Sequence, residues 1–327
     1  MNNLKVMFVR VSENCNAGCF MCGFAKNSNS YNITREQFEN LLKEMKEIGT
    51  YEVVRFTGGE PLLHPDLPYF IKKCIEEGYQ TSIITNGYLM PKMYKELIDA
   101  GISQVIFSLD GSCAEVHDKL RNLKGAFDNI INATKLLKKA KKDIIIRVNT
   151  VVSALNINDM KDILNVLVKN DIDQWSIIPL RAEKNLWNNG NIEEYIKIYK
   201  DFEKTVSNIE KPKMLGYSKK WAGRNEEEIK NLFYHNKFYH PNGKCHLVNR
   251  VRFYIPDKEE LIPCNCASHR TEQIGINHNK NKLLEDRAKI IEEWLMENGP
   301  HVCTGCEPLN VYLAEHSYIL DNDIFSF

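Results

Sequence analysis

Six times between residues 4 and 180, a short apolar, β-branched run is followed by a polar stretch whose apolar residues recur at helical spacing. This alternation narrows the fold more than any other feature of the chain. The runs at 5–11, 53–57, 81–85, 105–109, 144–152 and 175–180 are apolar on both faces. Such runs suit strands buried in a parallel sheet with helices outside it. Between them, Phe38, Leu41, Leu42 and Met45 form one helical stripe, and Met160, Ile163, Leu164 and Leu167 form another. Thr34 predicts a helix N-cap, with Gln37 completing a capping box. Gly78 and Gly101 predict helix ends. Six units fall short of the eight in a closed barrel. The expected fold class is therefore α/β, a partial (β/α)6 TIM-like barrel over residues 1–181. In such sheets ligands sit at the C-terminal ends of the strands.

The pattern changes after residue 181. Residues 182–240 read as a polar helical connector, and 241–327 as short elements forming a small C-terminal domain. In that domain, 251–255 and 261–264 flank Pro256-Asp257-Lys258 as a hairpin, and 283–296 reads as a helix.

With 43% hydrophobic and 26% charged residues, a real core is expected. The formal net charge is zero, which gives no reason to expect a nucleic-acid or acidic-membrane partner. The run Lys138-Lys139-Ala140-Lys141-Lys142 closes an expected helix, where cations offset the helix dipole. No apolar run approaches the roughly 18 residues of a membrane helix. Ten cysteines without a signal peptide point to a reducing, cytoplasmic setting and to metal ligation.

Three of those cysteines, Cys15, Cys19 and Cys22, follow the first strand as C-x3-C-x2-C. Three thiolates on one loop can hold three corners of a cubane [4Fe-4S] cluster and leave the fourth iron open to a small molecule. Zinc prefers four ligands in paired sets, so a lone triplet suits it poorly. The second strand ends in Phe56-Thr57-Gly58-Gly59-Glu60-Pro61. Two glycines permit close backbone approach, and a carboxylate suits an ammonium group. The next strands end in Thr85-Asn86-Gly87, Ser108-Leu109-Asp110-Gly111 and Arg147-Val148-Asn149-Thr150. Taken singly, Asn-Gly and Asp-Gly are ordinary turn signals.

Together these motifs resemble the radical SAM superfamily over most of the chain, and the partial barrel is also that family's fold. The resemblance implies an enzyme in which one electron from the cluster cleaves S-adenosyl-L-methionine (SAM) to methionine and a 5′-deoxyadenosyl radical that takes hydrogen from a substrate. It implies that Gly58, Gly59 and Glu60 meet the methionyl amine and that Asn86 lines the pocket. It implies further that Ser108 and Asn149 hold the ribose hydroxyls, that Arg121 neutralises the SAM carboxylate and that Met21 meets adenine, partly through backbone. A flavodoxin- or ferredoxin-type reductant is expected.

A second set comprises Cys245, Cys264, Cys303 and Cys306, with 18, 38 and two residues between successive members. Spacing alone suits structural zinc equally well. Beside the first site it resembles the twitch domain, the short form of the SPASM domain, which implies an auxiliary [4Fe-4S] cluster and two clusters in all. Cys266 is the spare cysteine, read as an incidental neighbour, with a substitute ligand or a hydrogen-atom donor as alternatives. Cys74, on an apolar stripe, reads as core. Cys113 and His117 sit past the fourth strand as catalytic candidates. Arg181, Glu183 and Lys184, after the sixth strand, are candidate substrate contacts.

The cysteine spacing resembles that of 2-deoxy-scyllo-inosamine dehydrogenases, and the first two motifs are similar to those of cytosylglucuronate decarboxylases. Both imply a small polar substrate (a sugar, aminoglycoside or nucleoside) that is oxidised or decarboxylated in natural product biosynthesis. The alternative is a maturase of ribosomally made peptides. Such enzymes often place a leader-binding domain ahead of the barrel, and here the first strand is expected by residue 4. A non-enzymatic metal-binding protein is the alternative of another class.

Overall fold

Strand β1 (Lys5–Ser12) puts Met7, Val9 and Val11 on one face of the sheet, all fully buried, and leads straight into the cysteine loop. The computed structural model describes residues 5–22, 31–48, 51–179, 192–206, 209–215, 251–255 and 260–262. Helix α1 (Arg35–Ile48) follows, started by the expected capping box. Its Gln37 amide donates to Thr34 Oγ1 at 3.2 Å, while Gln37 Oε1 accepts from the Thr34 amide at 3.0 Å. Each bond satisfies a donor the first turn would otherwise orphan.

The alternation continues through β2 (Tyr51–Gly58), α2 (Leu67–Glu76), β3 (Gln80–Thr85), α3 (Met90–Asp99) and β4 (Gln104–Ser108). Gly78 and Gly101 follow α2 and α3 with φ of +85° and +99°, the left-handed stops expected of them. After β4 comes a short helix that periodicity did not reveal, α4 (Ala114–Arg121), ended by Asn122 in the left-handed region. Then come α5 (Ala126–Ala140), β5 (Ile145–Val152), α6 (Met160–Lys169), β6 (Gln174–Pro179) and α7 (Ile192–Val206).

All six expected strands are present and pair in parallel as neighbours. The sheet is larger than expected. Strand β7 (Lys213–Leu215), inside the segment read as a helical connector, adds to the β6 edge. The expected hairpin forms from β8 (Val251–Ile255) and β9 (Glu260–Ile262), and β8 pairs in parallel with β1. Among the described residues the strand order is β7-β6-β5-β4-β3-β2-β1-β8-β9, a linear order that does not close on itself. The protein is thus an open parallel α/β sheet of the partial-barrel type.

Helices cover one face. Phe38 of α1 and Phe70 of α2 stack at 4.4 Å between ring centroids against Phe56 of β2. Trp175 of β6, fully buried, donates from Nε1 to Thr150 Oγ1 at 2.8 Å and meets Phe202 of α7 edge-on. Cys74 is fully buried in this core, as expected.

The opposite face differs in kind. Period-two alternation turns Arg10, Arg55, Ser82, Gln104, Arg147 and Gln174 away from the helices. Arg55 donates to Ser82 Oγ at 2.8 Å and to Gln104 Oε1 at 3.3 Å, and Gln104 Nε2 donates to Gln174 Oε1 at 3.0 Å. That last bond joins β4 to β6 across β5. The inner face of this sheet therefore carries a hydrogen-bonded, partly cationic polar band beside buried apolar residues such as Val6, Val53 and Ile106.

Candidate functional site

The cysteine loop is built onto the end of β2. The Gly59 amide donates to Ser12 O and the Glu60 amide to Asn14 O, both at 2.7 Å. The two glycines are required by this approach. A Cβ on Gly58 would lie 2.1 Å from Ser12 O, and one on Gly59 would lie 2.3 Å from Asn14 O. The close backbone approach expected of the Gly-Gly pair is therefore made by the cysteine loop itself.

Within the loop, Cys19 is buried and Cys15 and Cys22 are half-buried. The Ala17 amide points at Cys15 Sγ at 3.4 Å, and the Cys22 amide closes a turn on Cys19 O at 3.1 Å. Burial pushes the Cys15 thiol up to about 11, opposed by the Ala17 amide, and burial also raises Cys19. Such thiols give up their protons when a metal takes them. Among the described residues, no three His, Cys, Asp or Glu side chains converge on a point where one metal ion could sit.

Glu60 is almost fully buried, and its carboxylate is already engaged. Oε1 accepts from the Leu62 amide at 3.0 Å and from Thr85 Oγ1 at 2.6 Å, while Oε2 accepts from the Asn86 amide at 2.7 Å. Three of its roughly four acceptor positions are used. Burial pushes the carboxyl up to about 7, and the Thr85, Asn86 and Leu62 donors oppose that shift. Glu60 thus ties the end of β2 to the end of β3. Asn86 extends the tie, donating from Nδ2 to Asn16 Oδ1 in the cysteine loop at 2.8 Å.

On the loop's other side stands α4. Arg121, at its last turn, ion-pairs through Nη2 with Asp110 Oδ2 at 2.7 Å and points Nη1 at Cys19 Sγ at 3.9 Å. Its Nε–H is buried and has no hydrogen-bond partner among the described residues. An orphan buried donor of this kind fits an acceptor group of a ligand. Ser108, the last residue of β4, is the register partner of Asn149 within β5; both are half-buried, and Asn149 Oδ1 accepts from Arg147 Nε at 2.8 Å. Met21 is half-buried and packs against the core. The triad, Gly58, Gly59, Glu60, Asn86 and Arg121 thus converge at the C-terminal ends of the strands.

His117 does not present itself as an acid or base. It is fully buried, and its Nδ1 accepts from the Asp110 amide at 3.0 Å, which puts its own proton on Nε2. Burial, then the nearby Arg121 charge, pushes it down to about 3. The sign follows from linkage. A depressed value means that the unfolded chain binds the proton first, so this group's contribution is present above pH 6.5 and lost as pH falls toward 3. An Asn can keep the acceptor without titrating. Between pH 8 and pH 5 the wild type should lose about 2 kcal/mol relative to His117→Asn, read as the difference between their unfolding curves. Cys113, the second catalytic candidate, is half-buried at the N-cap of α4. Cys266, the third candidate, lies outside the described residues, as do Cys245, Cys264, Cys303, Cys306, Arg181, Glu183 and Lys184.

The residue that the turn signals concealed is Asp110. It is fully buried, and four groups meet it: the Val151 amide on Oδ1 at 2.7 Å, Arg121 on Oδ2, Asn156 Nδ2 on its carbonyl at 2.9 Å, and His117 on its amide. Asp-Gly after a strand looks like a turn, and only the absence of a following strand at hairpin distance hinted otherwise.

Residues 9–167 match the family described as the Radical SAM superfamily. The AdoMet-dependent heme synthase of Methanosarcina barkeri is 30% identical over 162 residues, 49% of this chain and 46% of that protein. This chain therefore matches about half the length of that relative. The probable GTP 3′,8-cyclase of Archaeoglobus fulgidus is 26% identical over 322 residues, 92% of this chain and 96% of that protein. The crystal structure of Streptococcus suis SuiB bound to precursor peptide SuiA superposes with a TM-score of 0.64 at 15% identity, covering 95% of this chain and 71% of that one. At that identity the likeness is one of fold.

Proposed function

We propose that this chain, which carries a radical SAM domain at residues 9–167 and is a radical SAM enzyme, acts on a small polar molecule held against the inner face of its sheet. The observation that carries this reading is the meeting of Cys15, Cys19 and Cys22 with Glu60 and Arg121 at the ends of β1 to β4, beside the polar, partly cationic band of the inner face.

When bound, the cluster supplies one electron to SAM and so generates the radical that starts turnover. The chain's own residues do the rest. Cys15, Cys19 and Cys22 hold three irons of the cluster. The β2 end, through Gly58, Gly59 and the remaining acceptor position of Glu60, receives the N–H groups of the methionyl amine. The orphan Arg121 Nε–H receives the carboxylate. Ser108 and Asn149, paired across β4 and β5, orient the ribose. Met21 lies beside the adenine.

Cys245, Cys264, Cys303 and Cys306 complete the reading as ligands of a second [4Fe-4S] cluster that accepts or relays an electron. Their spacing supports it. Arg181, Glu183 and Lys184 contact substrate. The enzyme works in the cytoplasm with a flavodoxin- or ferredoxin-type reductant.

The small-molecule reading draws on the polar band of the inner face and on the near full-length likeness to a probable GTP 3′,8-cyclase. The peptide reading draws on the shared fold with SuiB, which binds a precursor peptide. Anaerobically reconstituted protein, given dithionite and SAM, should form more 5′-deoxyadenosine with some member of a panel of nucleotides, nucleotide sugars and aminoglycosides than without it. Stimulation confined to a panel of short peptides would hand the function to the maturase reading.

A further inference from the structure

One guanidinium serves three directions at this site, and only one of them faces a ligand. Arg121 turns Nη2 to the fully buried Asp110 and Nη1 to Cys19 Sγ, leaving Nε–H for a ligand group. We infer that the Asp110–Arg121 pair is an electrostatic tuner of the triad's cluster, with Arg121 placing positive charge against the Cys19 ligand and Asp110 acting as the opposing counter-charge. The inference rests on the reading that the triad holds the cluster.

The geometry separates the two charges. The cation lies 3.9 Å from the Cys19 sulfur, and Asp110, on the guanidinium's Nη2 side, also acts on Cys19 but more weakly than Arg121 does. Reduction adds one negative charge to the cluster. A cation held closer than its counter-ion favours that charge, and burial keeps solvent from screening the difference. Asp110 is fixed in turn by the Val151 amide, Asn156 and His117, so the guanidinium has little freedom to turn away. Gly18 lets the cysteine loop come down onto the same helix end, where a Cβ would lie 2.6 Å from Asn122 Nδ2.

The two partners should act with opposite sign. Arg121→Gln removes the near cation, so the cluster becomes harder to reduce. At a fixed potential below the midpoint, the ratio of reduced to oxidised cluster should fall about tenfold, a shift of about 59 mV for one electron. Asp110→Asn removes the counter-charge and should move the midpoint upward. Arg121→Lys keeps the charge and should recover most of the shift, which also covers the case in which Arg121→Gln does not fold.

The test is redox titration of the SAM-responsive paramagnetic signal in the reconstituted protein and in each variant. Midpoints that move in opposite directions for Arg121→Gln and Asp110→Asn, with recovery by Arg121→Lys, support the inference. A wild-type signal with midpoints that stay put, or move the same way in both variants, overturns it. A wild type that gives no SAM-responsive signal overturns the underlying reading and the inference with it.

Discussion

Replacing Cys15, Cys19 and Cys22 together by Ala should remove all formation of 5′-deoxyadenosine from SAM. The same variant should retain about half the wild-type iron, about four of about eight atoms per chain, because a second cubane is expected on Cys245, Cys264, Cys303 and Cys306. Iron content and SAM cleavage therefore respond differently, all-or-none for the reaction and by half for the metal. Loss of nearly all iron would mean that the second set holds no cluster. Retention of SAM cleavage would remove the triad from the chemistry.

The second large effect is one of packing. Gly59→Ala would put a methyl 2.3 Å from Asn14 O, and Gly58→Ala would put one 2.1 Å from Ser12 O at a φ of +147°. Both obstacles are backbone, so no side-chain rotation relieves them. The end of β2 would have to leave the cysteine loop, giving up the Gly59 to Ser12 and Glu60 to Asn14 hydrogen bonds. Overpacking of ~3 kcal/mol and two lost bonds of ~1 kcal/mol each suggest a cost on the order of 5 kcal/mol for either change. That corresponds to an apparent unfolding temperature lower by roughly 7 °C, together with poor cluster retention. Gly78→Ala is the control. Its φ is also positive, at +85°, yet no described residue lies within 4 Å of the added Cβ, so it should cost only about 1 kcal/mol. If Gly59→Ala and Gly78→Ala behave alike, close approach is not what the Gly-Gly pair provides.

Local features carried much of the fold. The six strands, the Thr34–Gln37 box, the Gly78 and Gly101 stops and the hairpin after residue 250 all follow from spacing and turn chemistry. What escaped depends on contacts distant in sequence. Strand β7 is three residues long and gains its identity only by pairing with β6. Nothing local reveals that β8 pairs with β1, some 240 residues away. Helix α4 has a mostly polar sequence, and its two buried residues, His117 and Leu120, show no extended stripe.

The site divides in the same way. The triad and the Gly-Gly-Glu-Pro segment are legible because consecutive residues hold them. Asp110 is not, because its role lies in partners at 117, 121, 151 and 156. Glu60 was legible as a functional residue but not in how it is used, since three protein donors already hold its carboxylate. His117 looked like chemistry from its position after β4, and the structure makes it a neutral support for Asp110.

The central claim is that the triad leaves one iron open and that SAM takes it. The most direct measurement is electron–nuclear double resonance on the dithionite-reduced protein with SAM carrying nitrogen-15 at its methionyl amine. A nitrogen-15 coupling to the cluster signal is expected, and its loss together with that signal when Cys15, Cys19 and Cys22 are replaced by Ala. A cluster signal that SAM leaves unchanged, with no nitrogen coupling, would contradict it.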